Sequence, residues 1–233
     1  MAELRAESIT VGYDGPPILY NVSVTADAGK TSVIIGPNGA GKSTLAKAII
    51  GLLRLQAGHV YLKDSDITGI GPHKLVREGL AYLPQMLNVF DQLSVIENLE
   101  MGGYTLKGSL QRRISELLEL FPDLAQDRHK KSGTLSGGQQ RMLALARLLM
   151  IDPVVAVLDE PTAGLSPLYA ERVWDQIDRI RSAGVALLVV EQNASLAMDH
   201  ADAVFLLAQG RNVLSGPATE LRHREEVARI LVG

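Results

Sequence analysis

The residues best placed to do chemistry in this chain are the run Gly36-Pro37-Asn38-Gly39-Ala40-Gly41-Lys42-Ser43-Thr44. Its glycines allow a tight loop whose backbone N–H groups converge on an anion with no Cβ in the way. Lys42 brings a positive charge to the β- and γ-phosphates, and the Ser43 hydroxyl is a hard oxygen suited to Mg²⁺. This is the spacing of a phosphate-binding P-loop, so the chain is expected to bind a nucleoside triphosphate. The apolar run Thr31-Ser32-Val33-Ile34-Ile35 leads in as a strand. From Thr44 to Ile50 the pattern reads as a helix, which turns the positive end of its dipole toward the anion.

Two further constellations follow. Val154-Val155-Ala156-Val157-Leu158 is an apolar strand that ends in Asp159 and Glu160. At the carboxyl end of such a strand, Asp159 would lie beside the P-loop and hold Mg²⁺ through a water. Glu160 would stand where a general base polarises a water for in-line attack on the γ-phosphate. The run Leu135-Ser136-Gly137-Gly138-Gln139-Gln140 opens a long helix with a serine N-cap and two glycines, a second arrangement able to receive an anion.

The elements that must carry these groups show in the apolar periodicity. Strand-like runs occur at 9–11, 22–24, 32–35, 59–62, 80–83, 154–158, 185–190, 203–207 and 212–214. Those at 154–158 and 186–190 are apolar throughout, as parallel strands covered by helices on both faces are. Residues 167–183 are helical, with Ala170, Val173, Trp174, Ile177 and Ile180 on one face, so Trp174 belongs to the core. Between about 86 and 150 helices dominate, at 95–101, 110–120 and 136–150. Ser94 with Glu97 forms a capping box for the first, and Pro122-Asp123 ends the second. A helical insert inside an α/β core is the expected organisation. The charged tail 221–226, with Val227, Ile230 and Leu231, reads as one surface helix.

Composition narrows the function classes. With 233 residues the chain can bury a substantial core. A formal charge of −3 argues against a nucleic-acid partner held by general electrostatics. The absence of cysteine rules out disulfides and thiolate metal sites. His59, His73, His129, His200 and His223 have no metal-ligand spacing and read as structural or solvated. The acidic N-terminal segment has no apolar h-region, and the longest apolar runs are too short to cross a bilayer. A soluble, cytoplasmic protein is expected.

In order and spacing these motifs resemble those of the ATP-binding cassette (ABC) ATPases over nearly the full chain. The P-loop matches Walker A, residues 135–140 match the family signature, and residues 154–160 match Walker B with its catalytic glutamate. The resemblance implies an α/β fold: a RecA-like P-loop NTPase core, an antiparallel β subdomain and an inserted α-helical subdomain. It divides the chain into a catalytic lobe, residues 1–84 and 152–233, and a helical subdomain, residues 85–151.

It also implies ATP and Mg²⁺ as ligands. Nucleotide contacts fall to Tyr13, which stacks on adenine, to residues 36–44, to Gln85 of the Q-loop, to Asp159, and to Ser136, Gly137, Gly138 and Gln139. Metal contacts fall to Ser43, Gln85 and Asp159, and catalytic roles to Glu160 and Gln192. Gln192 stands at the position of the switch histidine, and an amide there can donate to a phosphate but cannot carry a proton at neutral pH. The D-loop, Ala163-Gly164-Leu165-Ser166-Pro167, has serine where most members carry aspartate.

Within the family, three stretches resemble the ATPases of branched-chain amino acid importers: Glu97-Asn98-Leu99-Glu100-Met101-Gly102, Val190-Glu191-Gln192-Asn193-Ala194 and Leu214-Ser215-Gly216-Pro217. The implied assembly is a dimer of cassettes, with a copy of itself or a similar ATPase, in which each signature faces the other P-loop. It sits at the cytoplasmic face of the membrane on separate permease subunits, which a solute-binding protein serves. The run Met86-Leu87-Asn88-Val89-Phe90 is a candidate permease contact. Lipid or lipopolysaccharide export shares every ATPase motif, and a non-transport clamp on DNA, ribosomes or assembly proteins is the other alternative.

Overall fold

A computed structural model describes residues 2–86 and 89–232. Two sheets organise the fold. The larger has six strands in the order β10-β9-β3-β8-β7-β6. These are β3 (Thr31–Ile35), β6 (Leu80–Leu83), β7 (Val155–Asp159), β8 (Ala186–Val190), β9 (Ala203–Ala208) and β10 (Arg211–Pro217). Five run parallel, and β10 closes the edge antiparallel to β9. The smaller sheet, order β2-β1-β4-β5, is antiparallel, built from β1 (Ala2–Val11), β2 (Leu19–Asp27), β4 (Ala57–Leu62) and β5 (Ser65–Asp66).

The parallel sheet is apolar on both faces, because something different covers each one. Ile34, Val155, Val157, Leu188 and Val190 face α1 (Lys42–Ile49) and the apolar side of the antiparallel sheet, including Leu4 and Ile9. Val33, Ala156, Leu158, Leu187 and Val189 face the helical side. That side is built from α3 (Val95–Gly102), α4 (Leu110–Leu120), α6 (Gly137–Leu149), α7 (Pro167–Ser182) and α8 (Ala194–His200). Alternate residues of one strand thus enter two separate cores, which explains why periodicity gives a continuous apolar run there. Trp174 is fully buried and stacks on His200 at 4.9 Å, consistent with a core role.

Most expected elements are found within one to three residues, although β1 and β2 extend well beyond the runs expected at 9–11 and 22–24. Short additional elements among the described residues include α2 (Pro72–Leu75), α5 (Pro122–Gln126), β5 and single 3-10 turns at Val76–Glu78 and Ser132–Thr134. Pro122 stops α4, but it also occupies the first turn of α5, where its missing N–H costs nothing. The tail departs from expectation. It forms α9 (Ala218–Leu221) and α10 (Glu225–Val232), parted by a turn in which the Arg224 N–H donates to the Leu221 carbonyl. Arg222 donates to the Met198 carbonyl and pairs with Asp199, and Val227 is buried, so the tail is fastened to α8.

Behind the loop that follows β6, Asn98 is fully buried. Its Oδ1 accepts from the Phe90 N–H at 2.8 Å, and its Nδ2 donates to the Phe90 and Ser94 carbonyls at 3.1 and 3.0 Å. This one amide ties the loop to α3. Asn98→Ala is expected to cost about 1–3 kcal/mol, the penalty for orphaning buried backbone groups. Nucleotide affinity should be unchanged; denaturant unfolding together with an ATP-binding titration checks both, and a cost under about 0.5 kcal/mol would contradict the anchoring role.

Candidate functional site

Four adjacent parallel strands, β3, β8, β7 and β6, each deliver polar groups at their carboxyl ends. From β3 the chain turns through Gly36–Gly41 into α1. Gly36 has φ 153°, and a Cβ there would lie 2.0 Å from the Leu207 carbonyl oxygen. Gly41 has φ 97°, and its Cβ would meet Leu19 at 2.4 Å. Only glycine fits either position. The loop closes on Lys42, which is 5% exposed and donates to the carbonyls of Gly36 at 2.8 Å and Pro37 at 3.1 Å. Burial lowers the lysine's pKa, and the facing carboxylates of Glu160, Asp159 and Glu191 oppose the shift. The first N–H groups of α1 have no partners within the helix and point out of its N-terminus.

From β7 come Asp159 and Glu160. Asp159 is 2% exposed; its Oδ1 accepts from the Ser43 hydroxyl at 2.9 Å and its Oδ2 from the Tyr82 hydroxyl at 3.3 Å. Burial raises the Asp159 pKa, and the two hydroxyl donors oppose this. Burial also raises the Tyr82 pKa, with the Asp159 charge adding to the effect, so the phenol stays a donor. Ser43 and Asp159 together offer a hydroxyl and a carboxylate at one point, a hard-oxygen pair that fits Mg²⁺. Glu160 has φ 48°, a left-handed backbone that costs a non-glycine residue about 1–3 kcal/mol and that Ser8, Asn21, Lys63, Asp152 and Gln209 also adopt.

From β6 comes Gln85, whose Nε2 donates to Glu160 Oε2 at 2.6 Å. The Gln85 carbonyl accepts from Arg141 on α6 at 3.1 Å, which joins this loop to the signature helix. From β8 comes Gln192. It is exposed, and Asn193 rather than Gln192 caps α8 by accepting from the Leu196 N–H at 3.2 Å. Tyr13 is half exposed, and the Lys47 ammonium lies 6.0 Å from its ring centroid at the end of α1.

The signature residues form a separate cluster. Ser136 caps α6 in a capping box with Gln139: its Oγ accepts from the Gln139 N–H, and Gln139 Oε1 accepts from the Ser136 N–H at 3.1 Å. Gly137 has open space where a Cβ would stand, and it borders a cavity of about 260 Å³ with Gln85, Arg141 and residues 163–165. Gly138 does not: a Cβ there would lie 2.2 Å from the Tyr169 ring. The two glycines therefore serve different ends, Gly138 packing against α7 and Gly137 leaving the helix start open. In the single chain the P-loop and Asp159, and Glu160 and Gln85, are joined through hydrogen bonds, while Gly137 borders a cavity that Gln85 also lines.

Sequence reasoning passed over Tyr82, Thr162 and Glu191. Tyr82 was one residue of an apolar strand. Glu191 is 2% exposed and accepts from the Thr162 N–H at 3.0 Å, the Thr162 hydroxyl at 2.7 Å and the Gln192 N–H at 3.1 Å. A charged residue directly after the apolar run 186–190 was the available signal for it.

Comparison with known proteins bears on the family and the fold. A family model described as ABC transporter matches residues 19–163. The probable branched-chain amino acid transport ATP-binding protein LivF of Archaeoglobus fulgidus is 40% identical over 232 residues, which is 99% of this chain and 98% of that protein. The high-affinity branched-chain amino acid transport ATP-binding protein BraG of Pseudomonas aeruginosa is 35% identical, over 99% of each chain. The lipopolysaccharide export ATP-binding protein LptB of Escherichia coli is 32% identical over all of this chain and 98% of its own. An ATP-binding cassette of an ABC transporter solved in its ADP conformation superposes with a TM-score of 0.90 at 28% identity, covering 100% of this chain and 99% of that one. On its motifs, its fold and these matches, the chain belongs to the ABC transporter ATP-binding family, whose members hydrolyse ATP.

Proposed function

We propose that the chain drives import of branched-chain amino acids or a related small solute, at the cytoplasmic face of the membrane and on separate permease subunits. The observation that carries the mechanism is the hydrogen-bonded cluster around buried Lys42, which links Ser43 to Asp159 and Gln85 to Glu160. ATP is the substrate. The loop 36–41 and the first turn of α1 donate backbone N–H groups to its phosphates, and Lys42 exchanges its two carbonyl partners for phosphate oxygens. Tyr13 offers a ring face to adenine. Ser43 and Asp159, with Gln85, would hold Mg²⁺, which would supply positive charge to the phosphates when bound. Glu160 accepts the proton of the attacking water, and Gln192 donates its amide to the γ-phosphate.

Ser136, Gly137, Gly138 and Gln139 complete the site of a second cassette. The open space at Gly137 favours a role in trans. Relatives named as branched-chain amino acid transport proteins favour that solute class, and the LptB match keeps lipopolysaccharide export as the second reading. Among the described residues no helix is long and apolar enough to cross a membrane. Exposed Met86, Phe90, Met101 and Tyr104 gather near the loop after β6 and suit a permease contact. Leu87 and Asn88 of the expected contact run lie outside the described residues.

Lys42→Ala should weaken ATP binding roughly 10–100-fold, the loss of a hydrogen bond to a charged group, and should cost about 1–3 kcal/mol of stability by orphaning the Gly36 and Pro37 carbonyls. Unchanged affinity would refute the P-loop assignment. Glu160→Gln should bind ATP normally and hydrolyse it about 10²–10⁴-fold more slowly; near-normal turnover would show another base. Gln192→Ala should slow hydrolysis only about 2- to 13-fold, the worth of one neutral hydrogen bond, and wild-type turnover would retire the switch assignment. In cells, Glu160→Gln should abolish leucine, isoleucine and valine uptake. Uptake that persists while lipopolysaccharide export fails would favour the second reading.

A further inference from the structure

Glu191 is a buried carboxylate that none of the steps above employs. It follows β8 directly, and its N–H donates to the Ile34 carbonyl at 3.1 Å, two residues before the P-loop begins. Its side chain divides its two oxygens between two loops. Oε1 accepts from both the backbone N–H and the hydroxyl of Thr162, which belongs to the turn that carries Glu160 into the D-loop. Oε2 accepts from the backbone N–H of Gln192. Thr162 is itself 8% exposed, so this joint is largely buried. Both loops also line one open cleft with residues 162–165 on one wall and Gln192 and Asn193 on the other. The Glu160 N–H donates to the Val190 carbonyl at 2.9 Å, which adds a backbone tie between the same two segments.

A buried carboxylate is costly unless donors fill its lone pairs, and here three donors from two loops do so. The arrangement fixes the start of the Gln192 loop against the turn after Glu160, so neither shifts without breaking a charge-assisted bond. We infer that Glu191 is a positioning residue that couples the Gln192 loop to the Glu160 turn and D-loop, so that both approach the γ-phosphate as one unit. This inference rests on the proposed hydrolytic site and adds to it a link between nucleotide contacts and the loop that faces the second cassette.

The side-chain chemistry allows the two halves of the joint to be cut separately. In Glu191→Gln the amide oxygen still accepts from Thr162, but the amide NH₂ now confronts the Gln192 N–H, donor against donor. Thr162→Val removes the hydroxyl donor and leaves the Gln192 bond intact.

The experiment is amide hydrogen exchange on both purified variants, combined with kcat and KM for ATP and a double-mutant cycle with Gln192→Ala. Glu191→Gln is expected to speed exchange at 192–194 but not at 162–165, and to lower kcat about tenfold with KM within about twofold. Adding Gln192→Ala to it should then lower kcat no further. Thr162→Val should speed exchange at 162–165 instead.

Unchanged exchange at 192–194 in Glu191→Gln, or a wild-type kcat despite faster exchange, would overturn the coupling. Wild-type turnover by Gln192→Ala, with Glu191→Gln still loosened and slow, would refute the switch role of Gln192 and leave the coupling in place.

Discussion

The site depends on one constraint: four neighbouring parallel strands must end together at one edge of the sheet. The order β3-β8-β7-β6 brings residues far apart in sequence, Lys42, Glu191, Asp159 and Gln85, to adjacent strand ends. A parallel sheet places its carboxyl ends in line only when both faces are covered and the crossovers keep one hand. Burial of Ile34, Val157 and Leu188 on one side and of Val33, Leu158 and Val189 on the other is therefore what aligns the chemistry. The helical insert from α3 to α6 enters between β6 and β7, the strands that carry Gln85 and Asp159. Through the Arg141 bond to the Gln85 carbonyl, a shift of α6 reaches the residue that holds Glu160.

Charge balance is the second controlling term. Lys42 is buried with three carboxylates in its field, and burial lowers its pKa while it raises those of Asp159 and Glu191. Hydroxyl and N–H donors satisfy the acids: Ser43 and Tyr82 on Asp159, Thr162 and the Gln192 N–H on Glu191. Lys42 rests on the carbonyls of Gly36 and Pro37. Donors matched in this way to buried charges are what electrostatic stabilisation of a charged transition state requires.

The sequence made the chemistry-bearing positions more legible than the links among them. Glycine at 36 and 41, lysine at 42 and the paired acids at 159 and 160 each carry a residue type that the geometry demands, so local pattern suffices. The capping box at Ser94 and the N-cap at Ser136 were legible for the same reason, whereas the Gln139 half of the second box was not read. The links were hidden because they are tertiary. Tyr82 reaches Asp159 across two paired strands, and Thr162 reaches Glu191 over 29 residues. Pro122 gave an ambiguous signal, since the same residue ends one helix and begins another. The tail was misjudged as a single helix because its amphipathic pattern does not record the turn at 222–224 or the hold of Arg222 on α8.

The central claim is that each working site is shared between two cassettes, with the P-loop, Asp159 and Glu160 from one and Ser136 and Gly137 from the other. Mixing two inactive variants tests it most directly. Lys42→Ala disables the P-loop, and Gly137→Trp fills the open space at the start of α6; each alone should be inactive in the assembled complex. If sites are shared, a mixed pair of these subunits contains one site with both damaged halves and one with both intact halves. The account predicts that the mixture recovers ATP hydrolysis that neither variant shows alone. A mixture as inactive as its components, with mixed dimers demonstrated in the same sample, would contradict it.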